Sequence, residues 1–451
     1  MIPTDRSALS TVAAVFAGAL GTFVLINRPQ WEPLFSASER QLDDWNAALP
    51  TGVAVGCVVA VLAYAALQRA ASARPAWTTA VVATAALIAA RLAVSGASDI
   101  EQLTLLHYTK CVAGGVLLGA AVAAAWSRAV PRLALVGAVA ATFVVADTAH
   151  GVAPTTSALG EPFWWLLVPT LVLAAACAVI DTGAPARADA GTVREAIAAA
   201  LTLAIAHRVL GAWIDGRTGS TFRLWVIVGL CLVLVLTLTE FWARRLDARF
   251  LLAATAVAAA AAPMRPLLAQ NYLPVEPWIP VAIGIAGVAV GVAAARRLPS
   301  PVVGVAALAA LPLWIAIDPT AGDRSAVLLV QLAVLGVGIG LALGSTLPVS
   351  GAVAALGLVV PLLSLVFTAL VGATASFVVY SGSYAPLTSA PSAAPSDLDT
   401  SDKVIAYVID DLFPSTVTFD RGTGVALLLV VVFCALAVRG LRPRPTVPHP
   451  N

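Results

Sequence analysis

Residues 325–345 read SAVLLVQLAVLGVGIGLALGS, an apolar run with one glutamine inside it and no charged side chain. The run matches the roughly 20 residues that a helix needs to cross a bilayer. Apolar and polar residues do not alternate along it, so it lacks the pattern of a strand in an outer-membrane barrel. An isolated span must satisfy its backbone hydrogen bonds internally, and the run therefore predicts a transmembrane α-helix.

The same pattern recurs along all 451 residues, with short polar joints between the runs. It predicts an all-α polytopic membrane protein with fourteen transmembrane helices. The first run follows a single arginine and lacks a clear cleavage site, so we expect a retained helix and not a signal peptide. The predicted runs are 10–27, 50–68, 77–95, 103–125, 132–149, 163–180, 194–213, 222–241, 249–264, 277–295, 301–317, 325–345, 350–379 and 422–439.

Hydrophobic residues make up 60% of the chain and charged residues only 11%. A soluble domain carries about 25% charged residues, so this supply cannot cover a water-facing surface of this size. The composition excludes a soluble enzyme, a nucleic-acid-binding protein and a disordered chain. Lys110 and Lys403 are the two lysines among many arginines, and this usage, with Ala- and Val-rich runs, is typical of a high-GC bacterial genome.

Basic residues are concentrated in alternate joints, where they include Arg69, Arg74 and Arg128. The other joints hold fewer basic residues although they are longer. Because arginine and lysine favour the cytoplasmic side, the pattern predicts cytoplasmic N- and C-termini in a bacterial cytoplasmic membrane. The longest external joint, 380–421, is rich in Ser, Pro, Ala and Asp, and we expect it to be mobile, with 403–413 as a short interfacial helix.

Several weak motifs follow one another in a recognisable order. They are Gln41, Leu42 and Trp45 before the second span, KCVAG at 110–114, HGVAP at 150–154, EPFWWLLVP at 161–169, EFWARR at 240–245, LLAQNYLP at 267–274 and the glycine run of 336–344. In this order they resemble the fourteen-helix drug:proton antiporter branch of the major facilitator superfamily. The joint LQRAASARP at 67–75 departs from that family because it lacks the family's Asp and Gly.

The resemblance implies two six-helix bundles, in residues 1–181 and 247–451, with an inserted helix pair in 182–246. It also implies a substrate path between the bundles near the membrane midplane, with alternating access by rocking of one bundle against the other.

Ionisable side chains within spans are costly in free energy and are therefore candidates for function. The resemblance places Lys110 at an arginine position tied to proton coupling, whereas snorkelling to the outer interface is the structural alternative. Asp147 is a candidate partner of Lys110 or proton carrier, unless it simply begins the outer turn. Arg91 is predicted to be an ion-pair partner or interface anchor more than a substrate ligand, and His207 and Arg208 are predicted to be interfacial anchors.

Glycines in two spans predict close helix packing. Gly336, Gly340 and Gly344 recur every four residues and give one smooth helix face, and Gly114 allows the same in the fourth span.

Three functions remain open at this level. The first is a transporter of the major facilitator type that exports amphipathic or lipid-like small molecules, with protons as one candidate coupling ion. The second is a non-transporting membrane partner of another protein in cell-envelope assembly. The third is a lipid-linked glycosyltransferase that uses Asp43 and Asp44 in the first external loop. The chain has no Walker sequence, no Gly-x-Ser-x-Gly and no Cys/His cluster, so we expect neither an enzyme nor a metal or cofactor.

Overall fold

The protein is described from a computed structural model. The described residues are 3–27, 38–95, 97, 99–146, 148, 159–216, 221–270, 276, 278–319, 325–379 and 415–441. The first eight helices are α1 (Pro3–Ile26), α2 (Glu39–Leu67), α3 (Arg74–Val94), α4 (Ile100–Ala125), α5 (Ala129–Val145), α6 (Trp164–Ile180), α7 (Ala190–Asp215) and α8 (Thr221–Arg245). Each overlaps one of the first eight predicted runs, but α1 begins seven residues and α2 eleven residues before the predicted start.

The second half of the chain is more often interrupted. Its helices are α9 (Arg249–Ala261), α10 (Met264–Gln270), α11 (Trp278–Ala295), α12 (Pro301–Ile317), α13 (Ser325–Ser345), α14 (Gly351–Val359), α15 (Leu365–Thr374) and α16 (Arg421–Gly440). Two short strands, β1 (Ala375–Val379) and β2 (Ser415–Phe419), pair antiparallel with Ala375 opposite Phe419.

Two predicted runs are wrong as single helices. The run 249–264 breaks after α9 because Pro263 has no backbone N–H to donate to the carbonyl four residues earlier. The run 350–379 breaks at 360–364, where Pro361 has the same effect, and it ends in β1 instead of continuing as a helix. Residues 415–419, predicted to belong to a mobile joint, form β2. The rest of that joint, including 403–413, lies outside the described residues.

The chain is a multi-pass membrane protein. Within the described residues, nine helices are long and apolar enough to cross a bilayer, and five shorter helices are also apolar. Large apolar side chains face outward: Val179 is 72% exposed, Phe222 80% and Leu429 63%. Such a surface suits lipid and not water. The number of spans and the side of each terminus stay predictions.

Helix packing repeats itself along the chain. In the first half, the most extensive contacts are α1 with α4, α5 and α6, α3 with α4 and α6, and α2 with α4. Every one of these pairs recurs when α1 to α6 are replaced in order by α9, α11, α12, α13, α14 and α16. Two segments that share all these pairs are structural repeats of one another.

The contacts between the two sets obey the same correspondence. Helix α2 packs against α14. When each helix of this pair is replaced by its equivalent in the other set, the pair becomes α11 with α5, and α5 does pack against α11. The pairs α4 with α14 and α5 with α13 exchange in the same way. The two sets are therefore related by an approximate twofold axis that passes between them.

Helices α7 and α8 belong to neither set. Helix α7 packs against α2 of the first set, against α14 of the second, and against α15, which follows α14 after the break. Helix α8 packs against α7, α9 and α16. Asp189 caps α7 by accepting hydrogen bonds from the hydroxyl and backbone N–H of Thr192 at 2.6 and 2.8 Å. These bonds lower the pKa of the exposed Asp189 carboxyl.

Glycines bring equivalent helices of the two sets into contact. A Cβ added to Gly115 on α4 would lie 2.0 Å from the Gly56 carbonyl oxygen on α2. A Cβ added to Gly340 on α13 would lie 2.4 Å from the Val288 carbonyl oxygen on α11. Neither pair of backbones could approach so closely with a larger residue.

The other glycines singled out in the sequence have similar surroundings. Cβ atoms added to Gly336 and Gly344 would lie 3.0 and 2.8 Å from atoms of α11. A Cβ added to Gly114 would lie 2.7 Å from the Val24 side chain on α1. The geometry is that of close helix packing.

Candidate functional site

A cavity of about 380 Å³ lies between the two helix sets. It is lined by the end of α1, the beginning of α2, parts of α4, α5, α7 and α10, and the break between α14 and α15. Its polar groups are contributed by Asn27, His107, Arg208, Asp215 and Arg265, among others. The volume is within the range of pockets that hold small molecules.

One face of α7 forms a wall of this cavity. Arg208, Gly211, Ala212 and Asp215 all line it, and their spacing of three and four residues puts them on one side of a helix. Gly211 allows α7 to approach the beginning of α15, since a Cβ there would lie 3.2 Å from the Leu365 carbonyl oxygen. Helix α7 is thus part of the cavity wall.

The arginine of this wall is held by α2. Arg208 donates from Nε to Thr51 Oγ1 at 2.8 Å and from a terminal nitrogen to the Ala47 carbonyl at 3.1 Å. Pro50 lies in this part of α2 and has no N–H to give to the Asn46 carbonyl. The first turns of α2 are therefore stabilised by side chains of neighbouring helices.

His107 on α4 contacts the same part of α2. Its Nε2 lies 3.2 Å from the Leu49 carbonyl, so this nitrogen carries the proton in the neutral ring. Gly52 makes room for the ring, because a Cβ there would lie 2.5 Å from Nε2. The ring also packs edge-on against Trp45, with centroids 5.9 Å apart.

Two buried acceptors at the cavity have no hydrogen-bond partner among the described residues. They are Nδ1 of His107 and Oδ1 of Asn27, whose side chains belong to residues only 3% and 5% exposed. Both residues line the cavity. A buried polar atom without a partner is rare and costs free energy, and neither of these two atoms is itself exposed to the cavity.

The broken helix contributes the opposite wall. Leu362, Ser364 and Leu365 line the cavity at the break, and Thr368 follows one turn later. Ser364 is the N-cap of α15, and its side chain makes no capping bond. The N-terminus of α15 is thus at the break that lines the cavity, where the helix dipole favours negative charge.

Lys110 is buried but does not line the cavity. Its Nζ donates to the Leu159 carbonyl at 2.5 Å and to the Asn27 carbonyl at 3.2 Å. Asn27 in turn donates from Nδ2 to the Gly160 carbonyl at 2.9 Å. Gly160 has φ of 59°, a conformation that glycine adopts readily. Lys110 joins the end of α1 to the segment that precedes α6, and Glu161 is an electrostatic neighbour of its ammonium.

Arg91 lies at the next part of the same segment. It donates to the Pro162 carbonyl and stacks over the Trp164 ring, 5.0 Å from its centroid. It is not among the residues that line the cavity. The third candidate, Asp147, lies outside the described residues.

The expectation of an interfacial anchor is wrong for His207, and for Arg208 it stays a prediction. His207 is 3% exposed and packs edge-on against Phe367, with centroids 5.8 Å apart. Arg208 is the cavity residue described above. Their position near a span end suggested the interface, because the sequence does not show that α7 lies between two other helix sets.

At the opposite end of the helices, the two sets close on each other. A Cβ added to Gly351 on α14 would lie 2.6 Å from the Tyr64 hydroxyl oxygen on α2. Trp126 donates from Nε1 to the Pro348 carbonyl at 3.1 Å. Arg128 and Arg132 lie at this end, which is the end that the sequence predicts to be cytoplasmic.

The connection from α6 to α7, residues 181–189, crosses the first set at this closed end. Asp181 forms an ion pair with Arg128 at 2.7 Å and accepts from Trp77 Nε1 at 3.0 Å. The Ala186 carbonyl accepts from the Tyr64 hydroxyl at 3.0 Å. The connection therefore ties α2, α3 and the N-cap of α5 together where the motif expected in 67–75 is missing.

The remaining acidic and metal-binding side chains bear on two other kinds of site, a metal site and the aspartate pair of a glycosyltransferase. Within the described residues, no group of three His, Cys, Asp or Glu side chains is placed to hold a metal ion. Asp43 and Asp44, expected in an external loop, lie in the first turns of α2, are exposed, and are not among the residues that line the cavity.

No protein-family model matches the chain, and no curated protein matches it in sequence. Solved structures do resemble it. One is a bacterial homologue of the human lysosomal transporter Spinster, in an inward-facing and unoccupied conformation, with a TM-score of 0.46, 11% identity, and 99% of this chain and 100% of that chain covered. Another is a double-tryptophan variant of XylE, with a TM-score of 0.44, 12% identity, and 98% and 96% covered.

Proposed function

We propose that this chain is a transporter, not an enzyme, and moves a small amphipathic molecule across the membrane by alternating access. The observation that carries the proposal is the position of the cavity between two helix sets with repeated packing. In transporters built from repeats, the substrate site lies at the repeat interface. The cavity also combines apolar walls, such as Leu25 and Phe143, with charged and polar groups, which suits an amphipathic substrate.

The moving bodies in this proposal are residues 1–181 and 247–451, with 182–246 inserted between them. The cavity is at the helix ends that the arginine distribution assigns to the outside, and the contact of Tyr64 with Gly351 closes the other end. This arrangement supports an outward-facing state. Export of the substrate through a second, inward-facing state completes the proposal, with protons as a candidate coupling ion.

For Lys110 we propose a positioning role, because its ammonium is bonded to two backbone carbonyls away from the cavity. Asp147 is left as the candidate proton carrier. In reconstituted vesicles, Asp147→Asn should then abolish substrate-dependent collapse of an imposed proton gradient while the wild-type protein shows it. Equal collapse by both proteins would remove Asp147 from the coupling.

The transport proposal is tested by blocking the cavity from α7. Ala212→Trp puts a large side chain into the cavity, whereas Val209→Trp puts the same side chain on the lipid-facing side of the same helix, where Val209 is 59% exposed. Fluorescent amphiphiles are followed into or out of vesicles that contain each protein. We expect Ala212→Trp to stop movement and Val209→Trp to leave it unchanged. If the two variants behave alike, or no amphiphile moves with the wild type, the cavity is not a transport path.

A further inference from the structure

We infer that Arg208, on the first helix of the inserted pair, binds the anionic headgroup of the amphipathic substrate. The inference rests on the transport function proposed above and names the chemical class of the molecule transported. The headgroup is a carboxylate, sulfonate or phosphate, since each offers oxygens that a guanidinium binds through paired hydrogen bonds.

The first support is the charge balance of the cavity. Arg208 and Arg265 contribute two positive charges and Asp215 one negative charge, so the described lining residues carry a net charge of +1, and Arg208 is one of the two cations. None of the ion pairs of the described residues involves Arg208. A charge within a span is costly unless it has a partner, and this one lies beside a space large enough for a ligand.

The second support is the orientation of the guanidinium. Thr51 and Ala47 accept two of its five N–H groups and hold it against α2. Three N–H groups remain, enough to bind two oxygens of an anion. Because the side chain is already held in place by α2, binding costs little further side-chain entropy.

The third support comes from the other side of the cavity. The N-terminal turn of α15 is at the break that lines it; the Ser364 side chain makes no capping bond there, and the first N–H group, that of Leu365, donates to the Leu363 carbonyl at 2.7 Å. The dipole of α15 adds to the attraction for negative charge. Broken helices of transporters often point such N-termini at anionic substrate groups.

The walls of the cavity suit the rest of such a molecule. Apolar side chains such as Leu25 and Phe143 line it, and the apolar part of an amphipathic anion lies against them.

The test uses two dyes with the same aromatic frame, 8-anilinonaphthalene-1-sulfonate and the uncharged N-phenyl-1-naphthylamine. Each is titrated fluorimetrically against the full chain in nanodiscs of zwitterionic lipid, with empty nanodiscs subtracted. The variants are Arg208→Gln, Arg208→Lys and Ala212→Trp, and the control is Arg297→Gln, at an exposed arginine that does not line the cavity.

We expect Arg208→Gln to weaken binding of the sulfonate at least about tenfold, the effect of losing hydrogen bonds to a charged group, and to change binding of the uncharged dye less than about twofold. Arg208→Lys keeps the charge and should weaken sulfonate binding less. Ala212→Trp should weaken binding of both dyes, and Arg297→Gln of neither.

The failures can be told apart. If Arg208→Gln affects both dyes equally, or neither, while Ala212→Trp still weakens both, the cavity binds amphiphiles but the anion inference is wrong. If Ala212→Trp affects neither dye, the cavity does not bind them, and the inference fails together with the proposed function. If the Arg208→Lys protein folds but binds the sulfonate dye no better than the Arg208→Gln protein, the positive charge at residue 208 does not bind the anion, and the inference is also wrong.

Discussion

The guanidinium of Arg208 on the inserted helix α7 donates to the hydroxyl of Thr51 on α2, 2.8 Å away. This bond joins the inserted pair to the first helix set at the cavity. It also fixes the position of the Arg208 charge. Among the described residues, the hydrogen-bond partners of this charge are a hydroxyl and a carbonyl, and neither is a carboxylate.

Thr51→Val keeps the shape of this side chain and removes the acceptor. Arg208 then loses one of the two bonds that hold it, so binding of the sulfonate dye should weaken roughly threefold to tenfold. Thr51→Ser keeps the hydroxyl and should bind as the wild type does. Fluorimetric titration in nanodiscs measures both. Equal affinity of the Val and Ser variants would show that Thr51 does not position Arg208.

Lys110→Met should lower the free energy of unfolding by about 2–4 kcal/mol, because the carbonyls of Asn27 and Leu159 lose a charged donor in a buried place. The matched control is Arg296→Met, at an exposed arginine, which should change stability by less than about 0.5 kcal/mol. Denaturant unfolding in detergent measures the difference. A variant with wild-type stability but no transport would place Lys110 in coupling and contradict the positioning role.

Asp181→Asn should weaken the closed end of the structure. It removes the ion pair with Arg128, whose side chain is 28% exposed, and we expect a loss of about 2 kcal/mol. Glu240→Gln removes a surface pair with Arg244, which is 70% exposed, and should cost less than about 0.5 kcal/mol. Unfolding of the two variants is compared. A larger loss for Glu240→Gln would mean that the connection of 181–189 does not stabilise this end.

Gly340→Ala should destabilise the contact between α13 and α11 by about 1–3 kcal/mol, because the new Cβ would lie 2.4 Å from the Val288 carbonyl oxygen. Gly229→Ala on α8 has nothing within 4 Å of its new Cβ and should be neutral or slightly stabilising, since alanine favours helix. Thermal unfolding of the purified variants compares them. Equal effects at Gly340 and Gly229 would contradict the packing role.

The helices themselves follow from the sequence. A run such as 325–345 has no charge and no alternation, so in lipid it can only be a helix, and α13 has those bounds. Composition also excluded soluble classes of protein. The two broken helices were missed although Pro263 and Pro361 were visible, because proline also occurs inside unbroken helices of this chain, at Pro50 in α2 and Pro312 in α12.

The site was much less predictable. The sequence marks Lys110 and Arg91 as candidates for function because a charge within a span is costly in free energy. Hydrogen bonds to backbone carbonyls can offset that cost, and in this structure both side chains make such bonds. Arg208 was assigned to the interface by its position near a span end. Its role depends on which helices surround α7, and no local pattern carries that information.

By itself, the sequence determined the class of protein, the positions of most helices and the distribution of basic residues, because these depend on the transfer of each segment between water and lipid. Only the tertiary structure decided that two helix sets repeat each other's packing, that α7 lies between them, and that Arg208 faces a cavity while Lys110 does not. Those facts depend on contacts between residues far apart in the chain. In lipid, such contacts are selected by close packing and polar pairing, not by hydrophobicity.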